Sequence, residues 1–219
     1  MKDDLNDVAI DAARNTGSQI AGYASAFAVA FSGYSLFEGS VRQPDLKAFV
    51  PPVVQYAQPY QNSNFEVFAV PVTIVNSGAR TGTVLGIDLV VTGLAKGETK
   101  TFYSADLGNW TLATARAFGF KPFSPISIPG KTSFSDVVLF YPRRDEKVQA
   151  VVAETGTYRL SLTLNTAEVD DFWLLDRWLH RKPEPVTVEM TLPVMDHRAF
   201  NVGTLPMHQK DYRPTTSGR

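Results

Sequence analysis

The sequence contains no cysteine and only three histidines among its 219 residues. The lack of cysteine excludes disulfides, thiolate zinc sites and cysteine nucleophiles. Charged residues make up 20%, and 21 Lys and Arg against 22 Asp and Glu give a net charge of −1. A chain so balanced has no global cationic field, so we expect no nucleic-acid partner. A mean hydropathy of −0.10 excludes a polytopic membrane protein.

Motifs for catalysis are absent as well. The histidines His180, His197 and His208 have no i, i+4 spacing and do not belong to a His-Glu-x-x-His run. The sequence has no G-x-S-x-G elbow, no phosphate-binding P-loop and no G-x-G-x-x-G after a strand. We therefore expect no metal, no cofactor, no catalytic residue and no enzymatic activity.

Charge is also missing from the whole segment between Arg14 and Glu38. Within it, residues 20–37 are apolar or small, and 18 residues at about 1.5 Å each span roughly 27 Å. This length and the lack of charge predict a transmembrane helix over 20–37. A cleaved signal peptide with an A-x-A site, or a helix buried in a folded domain, are the alternatives.

The predicted helix carries a row of small residues at four-residue spacing, Gly22, Ala26 and Ala30. Small rows allow close approach of helices in lipid. The row predicts packing against a partner helix, either of another protein or of a second copy, with membrane lipid around it. Residues 1–19 are predicted to be a weakly amphipathic segment and residues 38–48 a linker.

The body, residues 49–195, is a succession of short β patterns separated by Gly, Pro and Asn turns. The expected strands are Phe49–Tyr56, Phe65–Val75, Thr83–Thr92, Thr101–Ser104, Ser124–Ile128, Ser133–Tyr141, Tyr158–Asn165 and Val186–Val194. Without βαβ alternation, this pattern predicts a mainly β, antiparallel sandwich. Pro71 inside the second strand indicates an edge strand or a bulge. Residues 196–219 are predicted to be a flexible tail.

One helix is predicted inside this body, over 166–182, between the last two strands. Its apolar arc is expected to cover the open end of the sandwich, or to present Trp173 and Trp178 to a membrane interface. On a sandwich topology, the loop around Arg80 lies at the same end, so Arg80 and Arg177 are candidates for contacts with lipid phosphates or acidic side chains. The alternative for Arg80 is a solvated turn residue.

Two segments resemble bacterial immunoglobulin-like extracytoplasmic domains. Val70–Val91 contains Asn76-Ser77-Gly78 followed by Gly82, where such domains turn between strands. Thr155–Leu164 contains Gly-x-Tyr at Tyr158, which resembles the tyrosine corner, a phenol bonded back to the backbone. The resemblance implies an immunoglobulin-like sandwich in a single-pass protein of the bacterial inner membrane. Lys2 and Arg14 before the helix and Arg42 and Lys47 after it leave the positive-inside rule nearly tied; the common arrangement with a short N-terminus inside predicts a soluble domain in the periplasm.

These observations lead to the expectation of a membrane-anchored accessory or assembly protein whose sandwich binds a protein partner near the membrane. The alternative is a module that binds a small ligand, lipid or glycan. Its pocket would lie in the aromatic stretch 106–123, lined by Trp110, Phe118 and Phe120.

Overall fold

The computed structural model of the chain describes residues 21–57, 66–108, 120–143, 150–167, 183–193 and 204–211. The chain divides into two compact units, Met1–Arg42 and Gln43–Arg219. In the described part of the first unit, helix α1 occupies residues 21–36. A π-helical turn follows at Phe37–Val41, where Arg42 pairs with Glu38 at 3.0 Å.

The described residues of the second unit form only strands. They are β1 (Leu46–Phe49), β2 (Val53–Ala57), β3 (Val67–Asn76), β4 (Gly82–Gly93), β5 (Thr99–Leu107), β6 (Lys121–Pro122), β7 (Ile126–Ile128), β8 (Ser133–Pro142), β9 (Gly156–Thr166), β10 (Val186–Leu192) and β11 (Leu205–Gln209). Every pairing among them is antiparallel.

Eight of these strands pair in a closed ring. The order β5–β8–β3–β2–β11–β10–β9–β4 returns to β5 through the β4–β5 pairing. β1 pairs with β3 beside β2, while β6 pairs with β5 and β7 with β4. The fold is therefore a closed antiparallel barrel, and the predicted immunoglobulin-like sandwich is wrong.

The core lies inside the ring because alternate side chains of each strand point inward. Aromatic rings fill one part of it: the Phe68 ring centroid lies 4.8 Å from that of Tyr56 and 5.0 Å from that of Phe102. All three side chains are fully buried. The interior is thus a packed core, as expected for a ring of about eight strands.

The strands themselves agree with the sequence patterns, since all eight predicted segments contain a strand and the chain is mainly β and antiparallel. Pro71 lies inside β3, which pairs on both sides and is not an edge strand. It lies opposite the break between β1 and β2, where its missing N–H costs no ladder bond. β11 was not predicted and lies within residues 196–219. The helix predicted over 166–182 lies, apart from the first residue in β9 and the next one, outside the described residues.

The predicted membrane helix is also corrected. No helix in the described part of the chain is both long enough and apolar enough to cross a membrane. Many residues of α1 are Ala, Ser or Gly, which are only weakly apolar. The prediction of a transmembrane helix over 20–37, and with it single-pass inner-membrane anchoring, is wrong.

Candidate functional site

A cleft opens in the barrel wall between β1 and the start of β10. Its volume is about 350 Å³, and its walls are Asp45–Phe49 on one side and Pro183–Val186 on the other. We call this cleft the slot. Both walls belong to strand edges or to the residues leading into them, so the slot is a gap within the sheet.

The slot is one strand wide. β2 and β10 are separated only by β11, which pairs with both. β11 ends at Gln209, and its ladder continues for one bond, from the Lys210 N–H to the Glu189 carbonyl at 3.0 Å. The chain then turns at Lys210 and Asp211, whereas the strands on either side continue. Beyond this turn, a place for one strand is left between β1 and β10.

The two walls stand at matching levels. Against β3, the five residues 50–54 oppose the three residues 70–72, so the β1–β2 connection bulges by two residues. The pairings of β2 with β11 and of β11 with β10 relate the levels of β2 to those of β10. When this relation is extended to β1 across the two extra residues, Ala48 lies level with Val188, and Leu46 lies level with Val186. All four side chains contribute to the barrel core.

The inward side chains at the slot are covered unequally. Leu46 and Ala48 are buried, but Val186 and Val188 remain partly exposed although they pack against the core. On β9, next to them, Leu160 and Leu162 are each only 2% exposed. The slot therefore has an apolar floor that a further strand would cover.

The backbone of each wall also faces the slot. The Asp45 carbonyl accepts a hydrogen bond from the Ser77 N–H on the β3 side, and the polar groups of successive strand residues alternate in direction. The N–H and C=O of Leu46 and Ala48 consequently point into the slot. On β10, the Glu189 carbonyl accepts a hydrogen bond from the Lys210 N–H on the β11 side. The N–H and C=O of Thr187, two residues earlier, point to the same side and therefore into the slot. No described strand pairs with these edges.

The sequence after β11 explains why this strand does not continue into the slot. Leu205 and Met207 are the inward residues of β11. A continued strand would turn Gln209, Asp211 and Arg213 inward, onto the apolar floor. Burying unpaired charges there is unfavourable, so β11 ends where its inward positions become polar.

Asn76 fixes the β1 wall in place. Its buried side chain accepts hydrogen bonds from the N–H groups of Asp45 (3.2 Å) and Gly78 (3.0 Å), and donates to the carbonyls of Arg80 (2.8 Å) and Ile128 (2.9 Å). A Cβ at Gly78 would collide with the backbone of Gln43, so this turn requires glycine. The predicted Asn-x-Gly turn thus joins β1, β3, the Arg80 loop and the end of β7.

A second polar cluster is enclosed by β2, β3 and β5. The Glu66 carboxylate, completely buried, accepts from the Tyr56 hydroxyl (2.7 Å), the Lys100 amine (2.7 Å) and the Val151 N–H (3.1 Å). Lys100 is 4% exposed and lies 5.7 Å from the Phe102 ring centroid. This carboxylate is buried and already holds three donors, so it is placed to stabilise the fold and not to act on a substrate.

Burial raises the pKa of the Tyr56 phenol well above its ordinary value, and the Glu66 carboxylate adds to the rise. Because the folded pKa exceeds the unfolded value of about 10, the stabilisation is complete below that pH and is lost as the pH rises. We expect the free energy of unfolding to fall by about 1.4 kcal/mol per pH unit above pH 10 on account of Tyr56. Urea unfolding between pH 9 and 12 should show a steeper fall in the wild type than in Tyr56→Phe; equal slopes would contradict this.

The tyrosine corner predicted from the sequence has its hydrogen bond. The Tyr158 hydroxyl donates to the Glu154 carbonyl at 2.6 Å, four residues upstream. The bond pins the turn into β9, although the strands around it close into a barrel. The motif therefore predicted the local turn correctly, but the immunoglobulin-like architecture that it implied is wrong.

Most of the residues predicted to contact a partner, a membrane or a ligand lie away from the slot or outside the residues that the structure describes. Arg80 lies in the loop pinned by Asn76, at the slot end of the barrel. Gly22, Ala26 and Ala30 lie on an exposed row of α1. Trp173, Arg177, Trp178, Trp110 and Phe118 lie outside the described residues. Phe120 is partly buried against a small apolar cluster formed by Ala57, Val67, Ala69 and Leu139.

Sequence reasoning did not identify the slot, although it placed Phe49 and Val186 in strands. Leu46 and Ala48 were assigned to a linker, although the alternation Leu46-Lys47-Ala48-Phe49 is a short strand pattern. Pro183, just beyond the predicted helix over 166–182, was interpreted only as the residue that ends it. Prolines next to a strand also indicate a strand edge that has no neighbour. Pro183 and Pro185 were therefore the signal in the sequence that could have predicted an open edge before β10.

The described residues thus define a closed eight-stranded antiparallel barrel with one strand position open. No protein-family model matches the chain, and no curated protein matches it. Among solved structures it is similar to a Bordetella pertussis protein named ApaA, at 13% identity and a TM-score of 0.28, covering 78% of this chain and 98% of that one. A likeness of this strength says nothing about what this chain does.

Proposed function

We propose that this protein is a non-enzymatic binding module that takes an extended segment of another polypeptide into the slot. The supporting observation is the gap between β1 and β10 in line with β11, where no described strand pairs with the backbone groups of the two walls and the floor is apolar. Strand addition uses these features: main-chain hydrogen bonds provide affinity, and alternate side chains enter the barrel interior. Asp211 and Arg213, which would point inward if β11 continued, are charged and unsuited to the apolar floor, and this favours a strand from another polypeptide.

In the described residues, no cluster of three or more His, Asp or Glu side chains could hold a metal ion. The Glu66 carboxylate, the most deeply buried acid described, is saturated by its three donors.

The proposal is tested by panning a random-peptide phage library on the protein and measuring the selected peptides by fluorescence anisotropy. Ala48→Pro removes the slot-facing N–H while leaving the ladder to β3 intact, because the Ala48 N–H does not point to β3. We expect this variant to bind at least about tenfold more weakly, the cost of a lost buried hydrogen bond. Tyr103→Ala changes an exposed side chain on β5, across the ring from the slot; it is the control and should bind like the wild type.

Thr187→Pro provides the same test from the β10 wall, in case Ala48→Pro folds poorly. Amide hydrogen exchange gives a readout that needs no variant: a bound peptide should slow exchange at Leu46, Ala48 and Thr187. Exchange at Lys47 and Phe49, already bonded to β3, should not change. Full binding by both proline variants, or no change at the three amides, would refute strand addition at the slot.

A further inference from the structure

We infer, on the basis of the proposed function, that the slot selects a strand antiparallel to both walls with aliphatic residues at two alternate positions and an acidic residue between them. Three features of the slot determine this chemistry: the direction of its walls, its apolar floor, and the Lys47 amine level with the middle of the inserted strand. Each is set by described residues.

The direction follows from the strand order. β1 and β2 are both antiparallel to β3, and β2 and β10 are both antiparallel to β11. β1 and β10 therefore run in the same direction, so one inserted strand can be antiparallel to both. In that orientation its inward residues bond to Leu46 and Ala48, and the residue between them bonds to Thr187. The ladder is then complete on both sides.

The floor determines the two inward side chains. One inward side chain of the inserted strand would lie between Ala48 and Val188, and the other between Leu46 and Val186. The two residues of each pair lie at the same level on either side of the slot. The floor is apolar, and its Val186 and Val188 are partly exposed, so aliphatic side chains gain most from burial there. β-branched residues such as valine also suit a strand.

The Lys47 amine determines the side chain between the two aliphatic positions. The outward residue between the two aliphatic positions would lie level with Lys47, whose side chain is 63% exposed and whose amine is 4.0 Å from Asp45. An acidic residue is a favourable cross-strand neighbour for this amine, with a modest, salt-dependent effect.

The probe is the capped peptide Thr-Val-Glu-Val-Thr, titrated into ¹⁵N-labelled full-length protein and followed by NMR. Replacing either valine with serine should weaken binding at least about tenfold, from the lost burial of one aliphatic side chain. Replacing the glutamate with lysine should weaken it about two- to fivefold at low salt, and less at high salt. Lys47→Ala should abolish this difference between the glutamate and lysine peptides.

A nitroxide on the amino terminus of the probe reports direction. An antiparallel strand places the label near Phe49 and Glu189 and should broaden their amide signals. Broadening at Asp45 and Glu184 would mean a parallel strand and would overturn the inference.

The outcomes separate this inference from the proposed function. Library peptides that protect Leu46 and Ala48 but lack the aliphatic–acidic–aliphatic pattern would overturn the inference alone. Slot amides that are protected without peptide would overturn both: concentration-dependent protection would show that a second copy fills the slot. Protection lost on deleting residues 212–219 would show that the chain's own end fills it.

Discussion

Replacing Glu66 with leucine is expected to lower the free energy of unfolding by about 3–5 kcal/mol. The substitution takes the carboxylate away from the buried Lys100 amine, 2.7 Å from it, and the acceptor away from Tyr56 and Val151. A buried charge deprived of its counter-charge, together with two orphaned donors, is among the most destabilising changes a core tolerates. Urea unfolding, monitored by tryptophan fluorescence and circular dichroism, measures it.

The double variant Glu66→Leu with Lys100→Met removes both charges. It should be more stable than Glu66→Leu alone, because the cost of the single change lies in the charge left behind. Glu189→Leu is the matched control: Glu189 pairs with Arg159 at 3.1 Å on the surface, and exposed pairs contribute little. If Glu66→Leu were no more destabilising than Glu189→Leu, the buried cluster would not have the role assigned to it.

Replacing Asn76 with alanine is expected to cost about 3–4 kcal/mol, because its amide satisfies two N–H groups and two carbonyls at a buried position. Asn76→Asp retains the acceptor for Asp45 and Gly78 but turns an oxygen toward the carbonyls of Arg80 and Ile128. It should therefore destabilise by a comparable amount. Both values are measured by urea unfolding.

The Asn76 variants have a second expected effect, confined to the slot wall. Loss of the bond to the Asp45 N–H should speed amide exchange in β1 more than in β9 on the far side of the slot. Asn165→Ala is the control, since the Asn165 amide bonds to Asp88 at an exposed position at 3.0 Å. Uniform exchange across β1 and β9 in Asn76→Ala would show that Asn76 does not hold the wall.

Much of the fold was readable from local patterns, and the reason is visible at particular residues. The alternation along Phe65–Val75 and Tyr158–Asn165 predicted strands, because one face of each is buried whatever it pairs with. A sandwich and a barrel bury the same face of every strand. The alternation of buried and exposed residues does not show which strands pair. It could not show that β5 pairs both with β4, where Thr92 lies opposite Thr99, and with β8, and these two pairings close the ring.

The membrane helix was predicted wrongly because absence of charge was given more weight than hydropathy. Ala, Ser and Gly in α1 avoid charge, but no helix in the described residues is both long enough and apolar enough to cross a membrane. β11 was missed for a different reason: its sequence, LPMHQ, has little β character of its own. It is ordered by the hydrogen-bonding edges of β2 and β10, which lie far away in the chain.

By itself, the sequence determined most of the segments that become strands and where Asn76 and Tyr158 form their turns. Each of these depends on neighbours within a few residues. Only the tertiary structure decided that the strands close into a ring, that Glu66 meets Lys100, and that Leu46 and Val186 face each other across a position that no described strand fills. Those pairings join residues 34 to 140 positions apart, a separation at which local periodicity carries no information.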